Sequence, residues 1–380
     1  MAQNLPPIKP KVTPIYQTSV FTFEDVNDLE NYFEAPNERF MYSRHSNPNS
    51  SELAAEVNKL EGGDGAVVTS SGTSALFTAI MIYCQAGDHV LCAEEIYGGS
   101  AVLFNQELSR TGISVTYVPS DKIYDLEQFI KPETKLLLAE TISNPLVRVF
   151  DIKQLAQVCQ RNNIKLVIDN TFASPVITKP LSLGADIVFH SITKYLSGHS
   201  DVTAGVVVAK GKDAVKRAQQ IMMNYGLNLS PFESWLAARG LKTLRLRIKQ
   251  HSSNALAIAQ FLEKHPKVNR IFYPGLAAHA QHQLAREQGN NLFGGMLSFS
   301  IKDDVEQVNK FMQNLKTIPF SPSLAGVSTS VSYPAGTSHR ALSAEKRNEL
   351  GITVGVIRLS VGIEEPEELI AEIEEALAAI

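Results

Sequence analysis

The sequence predicts an α/β protein: a seven-stranded, mostly parallel sheet in a large domain, a smaller α+β C-terminal domain, and an extended N-terminal arm. Three observations carry this. Seven short, nearly continuous apolar runs alternate with helix-period stretches between residues 66 and 210. Strands of that kind are buried on both faces, as in a sheet with helical crossovers. After about residue 245 the pattern changes to one long helical segment and then short strands. Up to residue 48 there is little periodicity, and Pro6, Pro7, Pro10, Pro14, Pro36 and Pro48 punctuate the chain. The expected divisions are an arm over 1–48, a large domain over 49–246 and a C-terminal domain over 247–380.

In chain order, a first helix is expected to start at Asn49 or Ser50, with Glu52 placed for a capping-box contact. Leu53, Val57 and Leu60 form its apolar stripe and Gly62 stops it. The strands follow as Ala66–Ser71, His89–Glu94, Ser114–Pro119, Lys135–Glu140, Lys165–Asn170, Asp186–Ser191 and Gly205–Lys210. Between them lie helical stretches such as Asp151–Arg161, in which Leu155 and Val158 share a face. A long helix over Ile248–Lys264 opens the C-terminal part, followed by strands near Arg270–Tyr273, Met296–Ile301, Thr329–Tyr333 and Val356–Ile363. Pro366 suits the first position of a last helix, whose stripe is Leu369, Ile370, Ile373 and Leu377.

Composition narrows the function. The hydrophobic fraction of 44% and charged fraction of 19% are those of an ordinary globular chain. The net charge of −4, without a dense basic tract, argues against a nucleic-acid partner. The longest apolar stretch, Ala75–Cys84, is too short to span a bilayer. Cys84, Cys92 and Cys159 lack ligand-like spacing and read as small buried hydrophobes of a reducing, cytoplasmic protein. The nine histidines form no metal-binding pattern, so no metal is expected. The first residues lack the charged-then-apolar plan of a signal peptide.

Open α/β sheets bind ligands outside the carboxyl ends of their strands. Asp169, Ser191, Thr193 and Lys194 all fall at or just beyond such ends. An amine, a carboxylate and two hydroxyls there suit pyridoxal 5'-phosphate (PLP). The amine forms a Schiff base, the carboxylate keeps the pyridine nitrogen protonated, and the hydroxyls help hold the phosphate. The bland alternative for Lys194 is a solvated surface charge. Ser70–Ala75, linking a strand to a helix, is either an anion site at a helix N-terminus or an ordinary capped turn. Tyr97, followed by Gly98 and Gly99, is either a ring that stacks on a flat cofactor or a packing residue. Arg358, a charge inside the apolar run Val356–Ile363, either binds a carboxylate bidentately or forms a structural ion pair. Tyr42 and Arg44 lie in the arm, where both could bind phosphate.

Taken together these segments resemble the Cys/Met-metabolism family of fold-type I PLP enzymes, which includes cystathionine γ-lyase, methionine γ-lyase, cystathionine γ-synthase and O-acylhomoserine sulfhydrylase. The matching runs are Tyr-Ser-Arg-x-x-Asn-Pro (42–48), Ser-Gly-Thr-Ser-Ala (71–75), Tyr-Gly-Gly (97–99), Glu-Thr-Ile-Ser-Asn-Pro (140–145) and Val-Ile-Asp-Asn-Thr-Phe (167–172). They continue with Ser-Ile-Thr-Lys-Tyr (191–195), Ser-Pro-Phe-Glu (230–233), Gly-Leu-Lys-Thr-Leu (240–244) and Ile-Arg-Leu-Ser-Val-Gly (357–362). The resemblance implies that Lys194 carries the cofactor, Asp169 pairs with its ring nitrogen and Tyr97 stacks on its ring. Gly72, Thr73, Ser191 and Thr193 would cradle the phosphate. Tyr42 and Arg44 would reach the phosphate of a neighbouring subunit in a homotetramer built of two site-sharing dimers. Asn144 and Arg358 would orient cofactor and substrate carboxylate, with Thr329 and Tyr42 beside the amino-acid substrate.

The implied activity is a C–S lyase performing mainly α,γ-elimination on cystathionine, methionine or homocysteine. A γ-replacement transferase is the alternative. Three positions depart from patterns seen in parts of the family. Val102 stands where many cystathionine-handling members have an arginine, Ser328 where many γ-lyases have a glutamate, and Gly99 where methionine γ-lyases often have a cysteine. Charges for the far end of a long dipolar substrate are thus expected to be missing, which favours smaller or less polar sulfur amino acids.

Overall fold

The computed structural model describes residues 10–34, 39–340 and 342–380. Pro6, Pro7, Pro36 and the first residues considered above lie outside them. The large sheet comprises β1 (Gly65–Thr69), β2 (His89–Ala93), β3 (Ser114–Val118), β4 (Thr134–Glu140), β5 (Lys165–Asp169), β6 (Ile187–Ser191) and β7 (Gly205–Ala209). Their order is β1-β7-β6-β5-β4-β2-β3. The ladders β3–β2–β4–β5–β6 are parallel, while β7 is antiparallel to both β6 and β1. Every strand except β7 therefore points the same way, and Thr69, Ala93, Val118, Glu140, Asp169 and Ser191 end on one edge of the sheet. Gly205 begins β7 there, opposite Thr69 and Ser191.

The strands are as short as their apolar runs, and β2 and β7 are buried throughout. Leu136–Leu138, Val167, Ile168, Val188 and Val206–Val208 fill the core on the two faces. Most expected strand ends shorten by one or two residues. At the end of β1, for instance, Ser70 and Ser71 leave the ladder because Ser71 caps α3 (Gly72–Met81), accepting from the N–H of Ser74.

The arm differs from its expected extended form, since residues Val26–Glu34 make a helix, α1. Asp25 accepts from the N–H of Asp28 at its start, and the buried Tyr32 packs edge-on against Phe23 and Phe33. Helix α2 (Pro48–Glu61) starts earlier than expected. Asn47 is its N-cap, Pro48 takes the first position, and Ser50 rather than Glu52 closes the capping box. Asn49 then ties the arm down, accepting from Tyr16 N–H and donating to the Pro14 carbonyl, both at 2.8 Å. Gly62 ends the helix at φ 78°, the left-handed conformation that glycine adopts without strain.

The C-terminal part holds a second sheet of β8 (Arg270–Phe272), β9 (Met296–Ser300), β10 (Ser330–Ser332) and β11 (Val356–Ser360), ordered β10-β11-β9-β8 and fully antiparallel. Helix Pro366–Ala378 covers it with Leu369, Ile373 and Leu377, whereas Ile370 is only partly buried. The long helix Leu244–Lys264 serves both cores. Leu244 and Ile248 pack under the large sheet, and Ala255, Ile258, Ala259 and Leu262 under the small one. The expected boundary at 246 thus falls inside a continuous helix.

Candidate active site

A cavity of ≈ 480 Å³ opens along the carboxyl edge of the large sheet. Its walls include Lys194, Asp169, Tyr97, Gly72, Thr73, Ser191, Thr193, Asn144 and Arg358. These residues come from six separate stretches of chain: the common strand direction of the large sheet brings five together, and Arg358 comes from β11 of the small sheet.

Lys194 stands in a turn directly after β6. Its N–H donates to the Ser191 carbonyl, and its own carbonyl accepts from Gly198 at 2.8 Å. Arg247, buried in the long helix, braces that turn by donating to the carbonyls of Tyr195 (2.7 Å) and Gly240 (2.9 Å). Burial, and then the Arg358 guanidinium, hold the Lys194 amine below the usual lysine range. An amine tuned this way is easier to deprotonate, as a nucleophile for a carbonyl must be.

Asp169 ends β5 and faces Glu140, the end of β4, in the parallel ladder. Burial pushes the Asp169 carboxyl up, while side-chain and backbone hydrogen bonds from Thr171 act against that rise. The Thr171 N–H donates to Asp169 at 2.9 Å, and its hydroxyl accepts from Ser191 N–H at 2.9 Å. Glu140 is buried and also lines the cavity. Burial and the neighbouring Asp169 raise it well above the carboxylate range, which favours its neutral form. Beneath these strand ends Glu61 accepts from Asn170 at 2.8 Å and lies 2.6 Å from His190 Nε2, clamping β5 and β6 to the end of α2.

At the β1–α3 turn, Gly72 and Thr73 present the first N–H groups of a ten-residue helix, which have no acceptor within it. Gly72 is required by close packing: a Cβ there would lie 2.7 Å from Ser191 Cβ. Thr193 is fixed by exchange with Ala204, whose N–H donates to the threonine hydroxyl at 3.0 Å. Two N–H groups and two hydroxyls at a helix N-terminus make a setting for an anion.

Arg358, only 2% exposed, projects from β11 and donates from Nη1 to Asn144 Oδ1 at 2.9 Å. Its Nε is buried without a hydrogen-bond partner among the described residues. The ion-pair reading of Arg358 gains no partner: its contacts are neutral acceptors, Asn144 and the Ser323 carbonyl. Tyr97, 48% exposed, overhangs the cavity just before the short helix α4 (Gly98–Val102).

Three expected site residues stand elsewhere in this chain. Thr329 is buried outside the cavity, donating to Glu364 at 2.9 Å and accepting from Gly362 N–H at 2.8 Å. Both functions of its hydroxyl are taken, so it is a structural link and not a wall of the site. Tyr42 and Arg44 lie together on the arm, the guanidinium 5.6 Å from the ring centroid and donating to the Met223 carbonyl. Val102 and Ser328 are exposed and also outside the cavity. Conversely, Glu140, Thr171, Ser100, Thr337 and Ser338 line the cavity without having been singled out from the sequence. For Glu140 the available signal was a carboxylate ending an apolar strand, the same signal that marks Asp169. Among the described residues, no group of His, Cys, Asp and Glu is arranged to hold a metal ion, and no helix is long and apolar enough to cross a membrane.

Fold and site together define a PLP-dependent enzyme of fold type I. The chain belongs to the Cys/Met metabolism PLP-dependent enzyme family, whose profile matches residues 3–378. It is 41% identical to a cystathionine gamma-lyase of Bacillus subtilis, over 97% of this chain and 94% of the relative. It is 38% identical to an L-methionine gamma-lyase of Porphyromonas gingivalis, over 97% and 92%. A solved chain from Campylobacter jejuni, determined with N'-pyridoxyl-lysine-5'-monophosphate, superposes with a TM-score of 0.92 at 30% identity, covering 97% of this chain and 95% of that one. The enzyme is a PLP-dependent C–S lyase or a transferase of the same family, acting on an amino acid. The residues present fit the cofactor: a primary amine of lowered basicity, a carboxylate at the cavity floor, an anion setting at a helix N-terminus, and a buried guanidinium with an unpartnered N–H.

Proposed function

We propose that this enzyme is a C–S lyase eliminating the γ-substituent of a sulfur-containing amino acid, with methionine, homocysteine and cystathionine as the candidate substrates. The observation that carries this reading is the charge inventory of the cavity. Among the described residues its acidic and basic side chains are Glu140, Asp169, Lys194 and Arg358. The first three meet at the strand ends, which leaves one guanidinium for the α-carboxylate and no charge for a second polar end, so cystathionine, with a distal ammonium and carboxylate, ranks behind methionine and homocysteine. The remaining wall of Tyr97, Ser100, Ile142, Pro322, Leu324, Thr337 and Ser338 suits a thioether or thiol better than a succinyl group.

In this reading Lys194 binds the cofactor, Asp169 pairs with its ring nitrogen, Tyr97 covers its ring, and Gly72, Thr73, Ser191 and Thr193 hold its phosphate. When bound, PLP supplies a conjugated electron sink for the substrate's α-carbon. Lys194 Nζ takes the α-proton, and its lowered basicity keeps it ready to do so near neutrality. Arg358, steadied by Asn144, binds the carboxylate through its paired N–H groups. The Tyr97 phenol donates a proton to the departing sulfur. Over the cycle water is consumed, and a thiol, ammonia and a 2-oxo acid are released.

The same reading makes the working form a homotetramer of site-sharing dimers, in which Tyr42 and Arg44 of one copy complete a neighbour's site. Their position on the arm supports it, as do the arm's exposed apolar side chains, among them Val12 at 61% and Val20 at 56%. Cytoplasmic residence is supported by three buried free cysteines, with burial pushing the thiols of Cys84 and Cys159 up to about 12. The test is release of 2-oxobutanoate from homocysteine, methionine and cystathionine, then from O-acetylhomoserine with and without a thiol. Keto acid formed from the three sulfur substrates without added thiol supports elimination; its absence rejects elimination in favour of the γ-replacement transferase.

A further inference from the structure

In the loop that carries Tyr97, the tyrosine's own N–H is taken by a side chain of the cavity wall. Glu140 Oε1 accepts the Tyr97 peptide N–H at 2.7 Å, across 43 positions of sequence. Four residues after Glu140, in the loop that follows β4, is Asn144, the residue that steadies Arg358. Glu140 thus stands between Asp169, its neighbour in the ladder, and the two loops bearing the phenol and the carboxamide.

We propose that Glu140 is a positioning residue of the reaction, its carboxyl serving as the acceptor that sets where Tyr97 stands over the cavity. Three features support this beyond ordinary loop packing. The acceptor is in the cavity wall, so its loss would move a group that faces substrate. The Tyr97 carbonyl accepts from the N–H groups of Ser100 and Ala101 within its own short helix, so Glu140 is what ties the tyrosine's N–H to the neighbouring strand end. Burial beside Asp169 favours the neutral form of Glu140, which accepts through one oxygen without putting a second negative charge against Asp169. A neutral acceptor of this length is what a glutamine side chain also offers.

The inference rests on Tyr97 acting in the proposed site, and the experiment separates the two. Glu140→Gln, Glu140→Ala and Glu140→Met are compared as PLP-loaded enzymes by steady-state kinetics and by the visible circular dichroism of the bound cofactor. The glutamine variant is expected within about 3-fold of the parent kcat, with its dichroism unchanged. Alanine should lower kcat about 10- to 100-fold and alter the dichroism, the cost of removing one buried acceptor. Methionine keeps the side-chain length and gives the same comparison if the alanine variant does not fold. Parent-like kcat and dichroism in the alanine or methionine variant would overturn the proposal. So would equal damage in glutamine and alanine, which would assign the role to charge. Tyr97→Phe is the separate control: full turnover there removes the phenol's role and leaves the Glu140 dichroism result to stand by itself.

Discussion

Arg358 Nη1 donates to Asn144 Oδ1 at 2.9 Å, a buried hydrogen bond that joins β11 of the small sheet to the loop after β4 of the large one. Burial without a carboxylate partner pulls the guanidinium down to about 10, which leaves it charged at neutral pH. A buried cation satisfied only by neutral acceptors is costly unless an anion joins it. The substrate carboxylate is that anion in the proposed reading. Arg358→Lys keeps the charge but loses the fork, and is expected to raise KM for the amino acid about 10- to 100-fold, in line with ~1.5–3 kcal/mol for a charged hydrogen bond. Steady-state kinetics on the best substrate measures it; an unchanged KM would place the carboxylate elsewhere.

Lys194 carries a sharper prediction. Lys194→Ala should abolish turnover and the cofactor's visible absorbance under conditions where the parent shows both. Borohydride reduction of the parent holoenzyme should fix the label on one peptide containing residue 194. A label mapped to any other lysine would remove Lys194 from its assigned role.

The arm can be tested by mixing subunits. If Arg44 serves a neighbour's site, Arg44→Ala and Lys194→Ala damage opposite contributions to each site. Each variant alone should be weak or inactive. Co-refolded with equal amounts of the two, a shared dimer carries one site with both lesions and one with neither. Random pairing makes half the dimers mixed, so about a quarter of parental activity should return. Activity that stays at the mean of the two variants would show that Arg44 acts within its own chain or not at all.

Much of the large domain was legible because its strands are buried on both faces, which leaves apolar runs such as Val67–Val68 and Val206–Val208 with little competing pattern. Asp169, Ser191 and Lys194 stood out for the same reason, as polar groups ending apolar segments. Glu140 ends its strand in the same way, yet its meaning depends on the Tyr97 N–H, which only the pairing of β2 with β4 brings near. Thr329 shows the reverse. The family resemblance implies a place for it beside the substrate, but β10 pairs Ser332, not Thr329, with Arg358, and Glu364 takes the threonine. Helix α1 stayed hidden because its stability comes from three aromatic rings and one aspartate cap, not from a sustained apolar stripe. The run Ser-Pro-Phe-Glu (230–233), read from the sequence only as part of the family resemblance, also marks a helix start, with Ser230 accepting from the Glu233 N–H.

His251 gives the fold a pH dependence separate from catalysis. It is buried in the long helix, its Nδ1 donating to the Val361 carbonyl at 2.7 Å and its Nε2 unpartnered among the described residues. Burial is the main cause that lowers it to about 4; Arg247 adds to the depression, and hydrogen bonds to Val361 and Gly362 together with Glu364 oppose it. The unfolded chain titrates this ring near 6.5, so between the two values the unfolded state binds the extra proton. Stability from this residue is therefore complete above about pH 6.5 and is lost as pH falls toward 4. The loss at pH 5 is about 2 kcal/mol. His251→Asn keeps a donor for the Val361 carbonyl and cannot titrate. Urea unfolding of parent and variant at pH 7.5 and pH 5, each saturated with PLP, should show the parent losing about 2 kcal/mol more than the variant over that interval. The raised carboxyls Asp169 and Glu140 contribute the opposite slope, but equally in both proteins, so they cancel in the difference. Equal losses in the two proteins would mean that His251 accepts its proton in the folded state as readily as in the unfolded chain.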